Sequence, residues 1–548
     1  MNQAVLPFSS SFLELLRKRG FSSSEEIQEF LSPRVENLED PFKLKGLKEA
    51  VTRIHRAVDA REKILIHGDY DVDGITSTSI LTRTLKKLGT ECSVFLPHRS
   101  EDGYGVSEAA LKRARGENVS LVITVDCGIT AVKEIEAART LGMDVIVIDH
   151  HQISPAGLPP ASVIIDPLQL DCPYPFKELS AAGLAFKLAQ ALIGPQAYEM
   201  LDLVALSTIS DVAPLVGENR ILVKKGLEKL SSRSNQGLRA LAQAAGLKAR
   251  EINVGHVGFV LGPRLNAAGR MSSPEIALRL LTTDHEKEAA SLADILNQEN
   301  KMRQKEERRV LKEAIEEVDK TVNFNREKII VVGREGWHLG VIGIVASRLA
   351  EKYYRPAIVM SWDGEKGQGS GRSIKQVHLF RALEACRDYL EEFGGHEQAA
   401  GVTLRRDQVS NFKKALNVHM EENYTSEAFV RKVAYDMELK LEDLKGPFVE
   451  ELKWLEPHGA GNPRPVFLTR GLNSVGKVEQ MGPQTLKFWV RDEYRTYEAI
   501  WMNRFGDFDL SRIGRDTAFD LTYSLKFRSW NGIESLTLEV KEIKPRSS

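Results

Sequence analysis

Residues 63–74 read Lys-Ile-Leu-Ile-His-Gly-Asp-Tyr-Asp-Val-Asp-Gly, a short apolar run followed at once by a histidine and three aspartates. The apolar part has the length and branched side chains of a buried strand. Similar runs lie at 120–125 and 145–148, and helical stretches at 74–88 and 131–141 separate the three. Strands that alternate with helices in this way predict βαβ units and a parallel sheet.

Each predicted strand is followed by acidic or histidine residues. The set is His67, Asp71 and Asp73 with the spacing H-x3-D-x-D, then Asp126, then Asp149-His150-His151, and finally Asp211 after an apolar helix. The carboxyl ends of parallel strands meet at one edge of a sheet. We therefore expect these side chains to share one crevice.

A crowded set of carboxylates needs cations or protons. Two carboxylates about 4 Å apart repel by roughly 4 kcal/mol at an effective dielectric constant near 20. Oxygen ligands with some imidazole suit Mn2+ or Mg2+ better than zinc. Two such ions would clamp a phosphoryl group for in-line hydrolysis. The sequence thus predicts a metal-dependent phosphodiesterase.

Each motif alone also has a structural interpretation. Asp-x-Asp-Gly is common in turns, Asp126 is a plausible helix cap, and Asp-His-His could begin a capped helix. Their coincidence at successive strand ends favours the metal centre.

The remaining pattern divides the 548 residues into several domains. We expect an N-terminal segment at 1–45, a parallel-sheet domain at 46–280, a long charged connecting helix at 281–325, a smaller α/β domain at 326–425 and a β-barrel at 426–548. The charged helix is alternatively a coiled-coil seam.

Composition argues against a membrane-spanning or secreted protein. The chain has no apolar run of bilayer length and no signal peptide, and its four cysteines form no CxxC pair. We expect a cytoplasmic protein with no membrane partner. The net charge of -1 means that a nucleic-acid partner would need local basic grooves.

These motifs resemble the DHH phosphoesterase family, which is named after the run found here at 149–151. The segments at 67–74, 125–128 and 210–213 are similar to its other core motifs. Those at 370–373 and 394–401 resemble the DHHA1 domain that accompanies many DHH domains. The segment at 457–463 opens a region similar to the OB-fold of the family's exonuclease branch, although His458 stands where an aromatic residue is common.

The resemblance implies roles for individual residues. One ion would be held by His67, Asp71 and Asp126, and the other by Asp73, Asp126, His150 and Asp211. Asp126 would bridge the two, and His151 would contact the scissile phosphate. Asp69 and Asp149 would orient the ligands. The DNA-binding residues would be Arg264, Asn266, Arg270, His338, Ser370, Arg372, Gly394, Gly395 and His396.

Residue chemistry supports the DNA contacts and leaves alternatives open. Arg264, Arg270 and Arg372 are predicted in Gly- and Ser-rich turns, where arginine suits phosphate contacts but also ordinary ion pairs. The run at 394–396 would offer backbone N–H groups to a phosphate, or would form a turn before a helix. His338 could instead pack against Trp337.

The resemblance implies a 5′-to-3′ exonuclease on single-stranded DNA that releases mononucleotides in DNA repair and recombination. A helicase and a single-strand-binding protein are further expected partners. The alternative is a DHH–DHHA1 phosphodiesterase acting on short RNA or small nucleotides. A non-catalytic scaffold is disfavoured because every expected ligand is present.

Overall fold

The computed structural model describes residues 8–98, 105–248, 250–482, 485–502, 518–530 and 533–546. The chain forms two units. One contains the described residues of 23–303 and 455–463, and the other contains those of 1–22, 304–454 and 464–548.

The first unit is built on a five-stranded parallel sheet. Its strands are β1 (Lys63–His67), β2 (Cys92–Phe95), β3 (Val119–Val125), β4 (Asp144–Ile148) and β5 (Val163–Ile165). The order is β2-β1-β3-β4-β5, and every neighbouring pair is parallel. The prediction of a parallel sheet is confirmed. The three strands expected from the sequence are its central ones, because only central strands are covered on both faces and read as continuous apolar runs.

The helices that precede the long charged helix lie in the first unit, except for the first of them, which belongs to the other unit. They are α1 (Ser10–Lys18), α2 (Ser24–Leu31), α3 (Leu47–Asp59), α4 (Val72–Lys87), α5 (Glu108–Gly116), α6 (Val132–Thr140), α7 (Ala181–Ile193), α8 (Leu201–Ser210), α9 (Gly217–Ser232), α10 (Gln236–Ala244), α11 (Val254–His256), α12 (Gly262–Met271) and α13 (Glu275–Thr282). A π-helical turn, Val257–Leu261, joins α11 to α12. Helices α7 and α8 are buried along most of their length, which explains why they are apolar on all sides.

The predicted charged helix is α14 (Glu286–Thr321), a single helix of 36 residues. Its N-terminal half packs Leu292 and Leu296 into the core of the first unit. Its C-terminal half contributes Val310, Ala314 and Val318 to a core of the second unit. The helix therefore has an apolar stripe for each unit, as expected of a connecting helix.

The second unit contains a smaller α/β domain with a mixed sheet. Its strands are β6 (Ile330–Glu335), β7 (Ala357–Asp363), β8 (Lys366–Arg372), β9 (Glu392–Gly395) and β10 (Ala399–Arg405), in the order β6-β7-β8-β10-β9. Its helices are α15 (Leu339–Tyr353), α16 (Leu379–Ala385) and α17 (Val409–Asn423).

A β-barrel completes this unit. Its elements are α18 (Pro447–Glu451) and the strands β11 (Met437–Glu438), β12 (Val466–Gln480), β13 (Leu486–Arg491), β14 (Thr496–Trp501), β15 (Phe519–Trp530) and β16 (Ile533–Pro545). The five strands from β12 to β16 close on themselves, because β12 pairs with both β13 and β15. The barrel is consistent with an OB-fold, so the predicted fold class is confirmed. No helix in the described ranges has the length and apolarity needed to cross a bilayer.

Candidate metal centre

The acidic and histidine residues meet at the carboxyl edge of the first sheet. Strands β1, β3 and β4 are neighbours, and each is followed by part of the predicted constellation. Asp126 follows β3 with a positive φ of 63°, and its N–H donates to Ile148 O at the end of β4. A left-handed conformation is rare for a non-glycine residue and is often found at functional sites.

The turn after β1 is fixed by the start of α4. Asp71 is the N-cap of α4, and its Oδ1 accepts hydrogen bonds from the N–H groups of Asp73 and Gly74. Gly74 packs so tightly that an added Cβ would lie 2.4 Å from Asp69 O. The absence of a side chain at residue 74 therefore lets the three aspartates crowd one turn.

Asp73 is held by distant parts of the chain. Its two oxygens accept from the N–H groups of Ala181 and Ala182, which begin α7, and from Ser207 Oγ on α8. The N-terminus of a helix stabilises a carboxylate. Nothing in the sequence around Asp73 announces these partners, although Ser180 is recognisable as the N-cap of α7.

His150 lies between the carboxylates. Its Nε2 is 3.3 Å from Asp126 Oδ1 and 3.6 Å from Asp73 Oδ2. Among the residues that the structure describes, three groups have ligand atoms within 4.8 Å of one another: Asp126, His150 and His151; Asp73, His150 and Asp211; Asp69, Asp71 and Asp126. Asp126 and His150 each belong to two groups, which is the arrangement expected of residues shared between adjacent ions.

Two residues of the first motif occupy places that the sequence could not resolve. Asp69 lies with Asp71 and Asp126, although we had expected it to support other ligands. His67 Nε2 accepts the N–H of Ser107, its Nδ1 is 3.8 Å from Cys127 Sγ, and its ring packs on Phe95. The role of His67 as a ligand and that of Asp69 as a residue that orients ligands stay predictions.

Electrostatics explain why this cluster suits cations. Desolvation, followed by the charge of Asp73, raises the pKa of Asp71, raises that of the buried Asp126 well above its usual range and raises that of Asp211 to about 8. Asp126 Oδ1 is a buried oxygen with no hydrogen-bond partner in the described part of the chain. Buried carboxylates without enough donors fit divalent cations, and this donor set suits Mn2+ or Mg2+.

His151 differs from the carboxylates in the sign of its charge and in its exposure to solvent. Its Nδ1 lies 2.7 Å from Asp149 Oδ1, and Asp149 is held in turn by the N–H groups of His150, His151 and Ile129. Burial lowers the pKa of His151, but the bond to Asp149 and the negative charges of the surrounding aspartates together outweigh burial and raise the pKa to about 9. His151 is therefore an imidazolium at neutral pH, with a side chain that is 32% exposed.

The loop after Asp211 is braced by the segment at 455–463. Leu215 N–H donates to Ala460 O at 2.7 Å, and the close approach of Gly459 leaves no room for a Cβ beside Leu215. The buried guanidinium of Arg220 donates to the carbonyls of residues 455 to 457. This segment, expected to open the barrel, thus packs in the first unit.

The predicted DNA-binding residues of the first unit lie on α12. Arg264 and Arg270 are therefore helical, and the expectation that they lie in turns is wrong, because a proline is tolerated in the first turn of a helix. Arg264 donates to Asn297 Oδ1 and Val260 O. Asn266 Oδ1 accepts from Val72 N–H at the start of α4, which joins α12 to the metal-binding turn.

The predicted residues of the second unit occupy strands and a helix end. His338 is exposed and caps α15, with its Nδ1 accepting from Gly340 N–H. Ser370 and Arg372 lie in β8, where the Arg372 guanidinium donates to Ser370 Oγ and Gly371 O. The expected turn at Arg372 is therefore wrong, since this glycine-rich stretch is a strand.

Gly394, Gly395 and His396 do not precede a helix. Gly394 and Gly395 end β9 and pair with β10, and His396 begins the turn between the two strands. Gly395 has a φ of 138°, and His396 N–H donates to Ala399 O. Gly394 is exposed. The DNA contacts of all these residues stay predictions.

Three family models match the chain. They are the DHH family N-terminal domain at residues 63–208, the DHHA1 domain at 326–422 and the RecJ OB domain at 435–542.

Curated relatives match most of the chain. The single-stranded-DNA-specific exonuclease RecJ of Bacillus subtilis is 40% identical over 96% of this chain and 67% of its own length. The proteins of the same name from Thermus thermophilus and Escherichia coli are 38% and 33% identical. The chain covers 64% of the Thermus protein and 82% of the Escherichia protein.

Solved structures agree with these matches. The structure of Thermus thermophilus RecJ in complex with Mn2+ matches 98% of this chain and 76% of its own, with 32% identity and a TM-score of 0.83. Its complex with Mg2+ matches with a TM-score of 0.77 and 31% identity, over 98% of this chain and 74% of its own.

Proposed function

Since the chain belongs to the RecJ family of DHH proteins, we propose that it is a metal-dependent exonuclease specific for single-stranded DNA. It hydrolyses phosphodiester bonds from the 5′ end, releases mononucleotides and serves DNA repair and recombination. The observation that carries the proposal is the convergence of Asp71, Asp73, Asp126, His150 and Asp211 at one sheet edge.

The residues have distinct tasks in this reaction. Asp71, Asp73, Asp126, His150 and Asp211 would hold two Mn2+ or Mg2+ ions. His67 would complete the set, and Asp69 would orient the ligands. When bound, such ions polarise the phosphoryl group and lower the pKa of the attacking water. Asp126 belongs to two groups of ligands and would therefore contribute to both ion sites.

His151 supplies a positive charge to the phosphate. Its Nδ1 is engaged by Asp149, and a protonated ring would donate from Nε2 to a phosphoryl oxygen. Because the hydrogen bond to Asp149 keeps the ring protonated, this donor carries charge where negative charge develops in the transition state.

Several features support a polymeric substrate. Arg264, Arg270 and Arg372 offer guanidinium groups for phosphates, and the exposed Gly394 with His396 offers contacts for a chain end. The barrel is a fold that binds single strands in many proteins. Relatives named for single-stranded DNA specificity extend this argument to the substrate.

The substrate suggests which proteins act together with this enzyme and in which compartment. A helicase would expose the strand that this enzyme degrades, and a single-strand-binding protein would occupy the same strand. Both are proposed as partners. The cytoplasm is the proposed compartment, and the four free cysteines are compatible with its reducing conditions.

A substrate panel tests the proposal. Long single-stranded DNA, duplex DNA, short RNA and a dinucleotide would be incubated with Mn2+, with Mg2+ and with EDTA. We expect metal-dependent loss of the long single strand alone. Preferential hydrolysis of short RNA or the dinucleotide would favour a small-substrate phosphodiesterase instead.

A further inference from the structure

A cavity of about 270 Å³ opens beside Asp211 in the first unit. Asp211 is flanked in the chain by two of its lining residues, Ser210 and Val212. A third, Asn266, accepts the N–H of Val72 next to Asp71. The cavity wall therefore includes residues that flank Asp211 in the chain or hydrogen-bond the turn that carries Asp71.

The walls of this cavity are mostly apolar and are exposed. Phe259 is 84% exposed and Val212 is 68% exposed, and Ile209, Val254 and Pro263 complete the apolar lining. Val212 has a positive φ of 60°, which is unusual for a β-branched residue. Exposed apolar side chains that gather at a cavity mark a binding site for an apolar group.

Few polar groups line the cavity. The hydroxyl Oγ of Ser210 is buried and has no hydrogen-bond partner within the described ranges. Asn266 Oδ1 is taken by Val72, which leaves its amide nitrogen to donate to a ligand. Two adaptable polar groups among apolar walls suit a flat heterocycle with polar edges.

We propose that this cavity binds the base of the nucleotide whose phosphate lies at the metal centre, with Phe259 stacking on the base. The inference rests on the proposed function and identifies a substrate subsite for it. Stacking tolerates any sequence because every base has a π-face. A cavity of about 270 Å³ is small among ligand sites, which fits a single base better than a whole nucleotide.

The subsite also accounts for strand preference. A base in a duplex is paired and stacked, and it must leave the stack before it can enter a pocket. A base of a single strand enters at a lower cost. The cavity thus favours single-stranded substrates without reading their sequence.

The test compares substrates with and without a terminal base. The rate of 5′-nucleotide release would be measured on single strands that end in thymidine or in an abasic analogue, with wild type and Phe259→Ala. We expect the wild type to lose about tenfold in kcat/KM on the abasic strand, mostly through KM. Phe259→Ala should lose a similar factor on the normal strand and little more on the abasic strand.

Two further variants keep the result interpretable. Phe259→Trp retains an aromatic face and should restore the dependence on the base. Leu170→Ala removes a fully exposed apolar side chain outside the cavity lining and should behave as wild type. Hydrolysis that ignores the terminal base, or equal losses of Phe259→Ala on both strands, would overturn this inference alone. Absence of hydrolysis on every strand would overturn the proposed function and this subsite with it.

Discussion

The Asp149–His151 pair makes a prediction whose size can be worked from its geometry. Asp149 Oδ1 is 2.7 Å from His151 Nδ1, and the pKa of His151 is raised to about 9 from an ordinary 6.5. Replacing Asp149 with asparagine removes the charge but keeps an oxygen that can accept from the N–H groups of residues 150 and 151. We therefore expect the pKa of His151 to return to about 6.5 in Asp149→Asn.

The consequence depends on pH. At pH 8, a pKa of about 9 leaves about nine-tenths of His151 protonated, whereas a pKa of about 6.5 leaves about 3%. If the imidazolium is the active form, kcat of Asp149→Asn should fall about 30-fold at pH 8 and less than about twofold at pH 6. The free energy of unfolding should depend on pH in the same direction as the activity. The pair stabilises the folded chain fully below about pH 6.5 and loses that contribution as pH rises through about 9.

Two measurements check this reasoning. NMR titration of histidine-labelled protein in EDTA, with His151→Gln to assign the signal, gives the pKa directly. Exonuclease rates across pH give the functional result. Asp171→Asn, which removes an exposed carboxylate that binds Lys45, is the matched control and should change neither. A pKa that stays near 9 in Asp149→Asn, or a shifted pKa with unchanged rates at pH 8, would refute the role assigned to the pair.

Three other perturbations have defined outcomes. Burial raises the pKa of Asp202 to about 6, so the unfolded chain binds fewer protons than the folded chain between about pH 4 and 6 and stability falls as pH rises through that range. We therefore expect the free energy of unfolding of Asp202→Asn to exceed that of wild type by roughly 3 kcal/mol at pH 8 and to equal it below pH ~4. Urea unfolding of both proteins in EDTA measures this difference, and a gain independent of pH would contradict this cause. Gly74→Ala would place a Cβ 2.4 Å from Asp69 O and so displace the metal-binding turn. We expect calorimetry to show Mn2+ affinity weakened at least about tenfold. Unchanged affinity would show that the turn accommodates the added methyl group. Arg372→Ala should raise KM for single-stranded DNA about tenfold with little change in kcat. Arg372→Lys should restore the wild-type KM only in part, because a lysine cannot form a bidentate phosphate contact. An unchanged KM in Arg372→Ala would show that Arg372 does not bind DNA.

The central strands and the site they carry could be predicted from the sequence, for a physical reason. Strands β1, β3 and β4 are buried on both faces, so their sequences are continuous apolar runs that stand out. The topology of a parallel sheet then requires the residues after each run to meet. Strands β2 and β5 lie at the sheet edges and are short, and the sequence did not reveal them.

The prediction of a turn in the glycine-rich segment of β8 is wrong, because glycine occurs both in turns and at strand positions where neighbouring side chains pack closely. Strand β8 reads Lys-Gly-Gln-Gly-Ser-Gly-Arg, which resembles a turn. In the structure, an added Cβ at Gly369 would lie 2.8 Å from Val402 and one at Gly371 would lie 2.7 Å from Leu379. Glycine stands at these positions because neighbouring side chains occupy the space.

The division of labour among the first-motif aspartates could not be predicted either. It depends on which carboxylate caps α4 and which one binds the N-terminus of α7, more than 100 residues away. Such partners are set by packing and leave no local signal. The sequence could therefore name the cluster but could not assign each ligand.

The most direct test of the central claim is degradation of 5′-labelled and 3′-labelled single-stranded DNA by wild type and Asp126→Ala. With Mn2+ or Mg2+, wild type should release a labelled mononucleotide at once from the 5′-labelled strand, and only late from the 3′-labelled strand. EDTA or loss of Asp126, which belongs to two of the ligand groups, should abolish both. Hydrolysis that persists in Asp126→Ala, or that needs no divalent cation, would contradict a reaction catalysed at this metal centre.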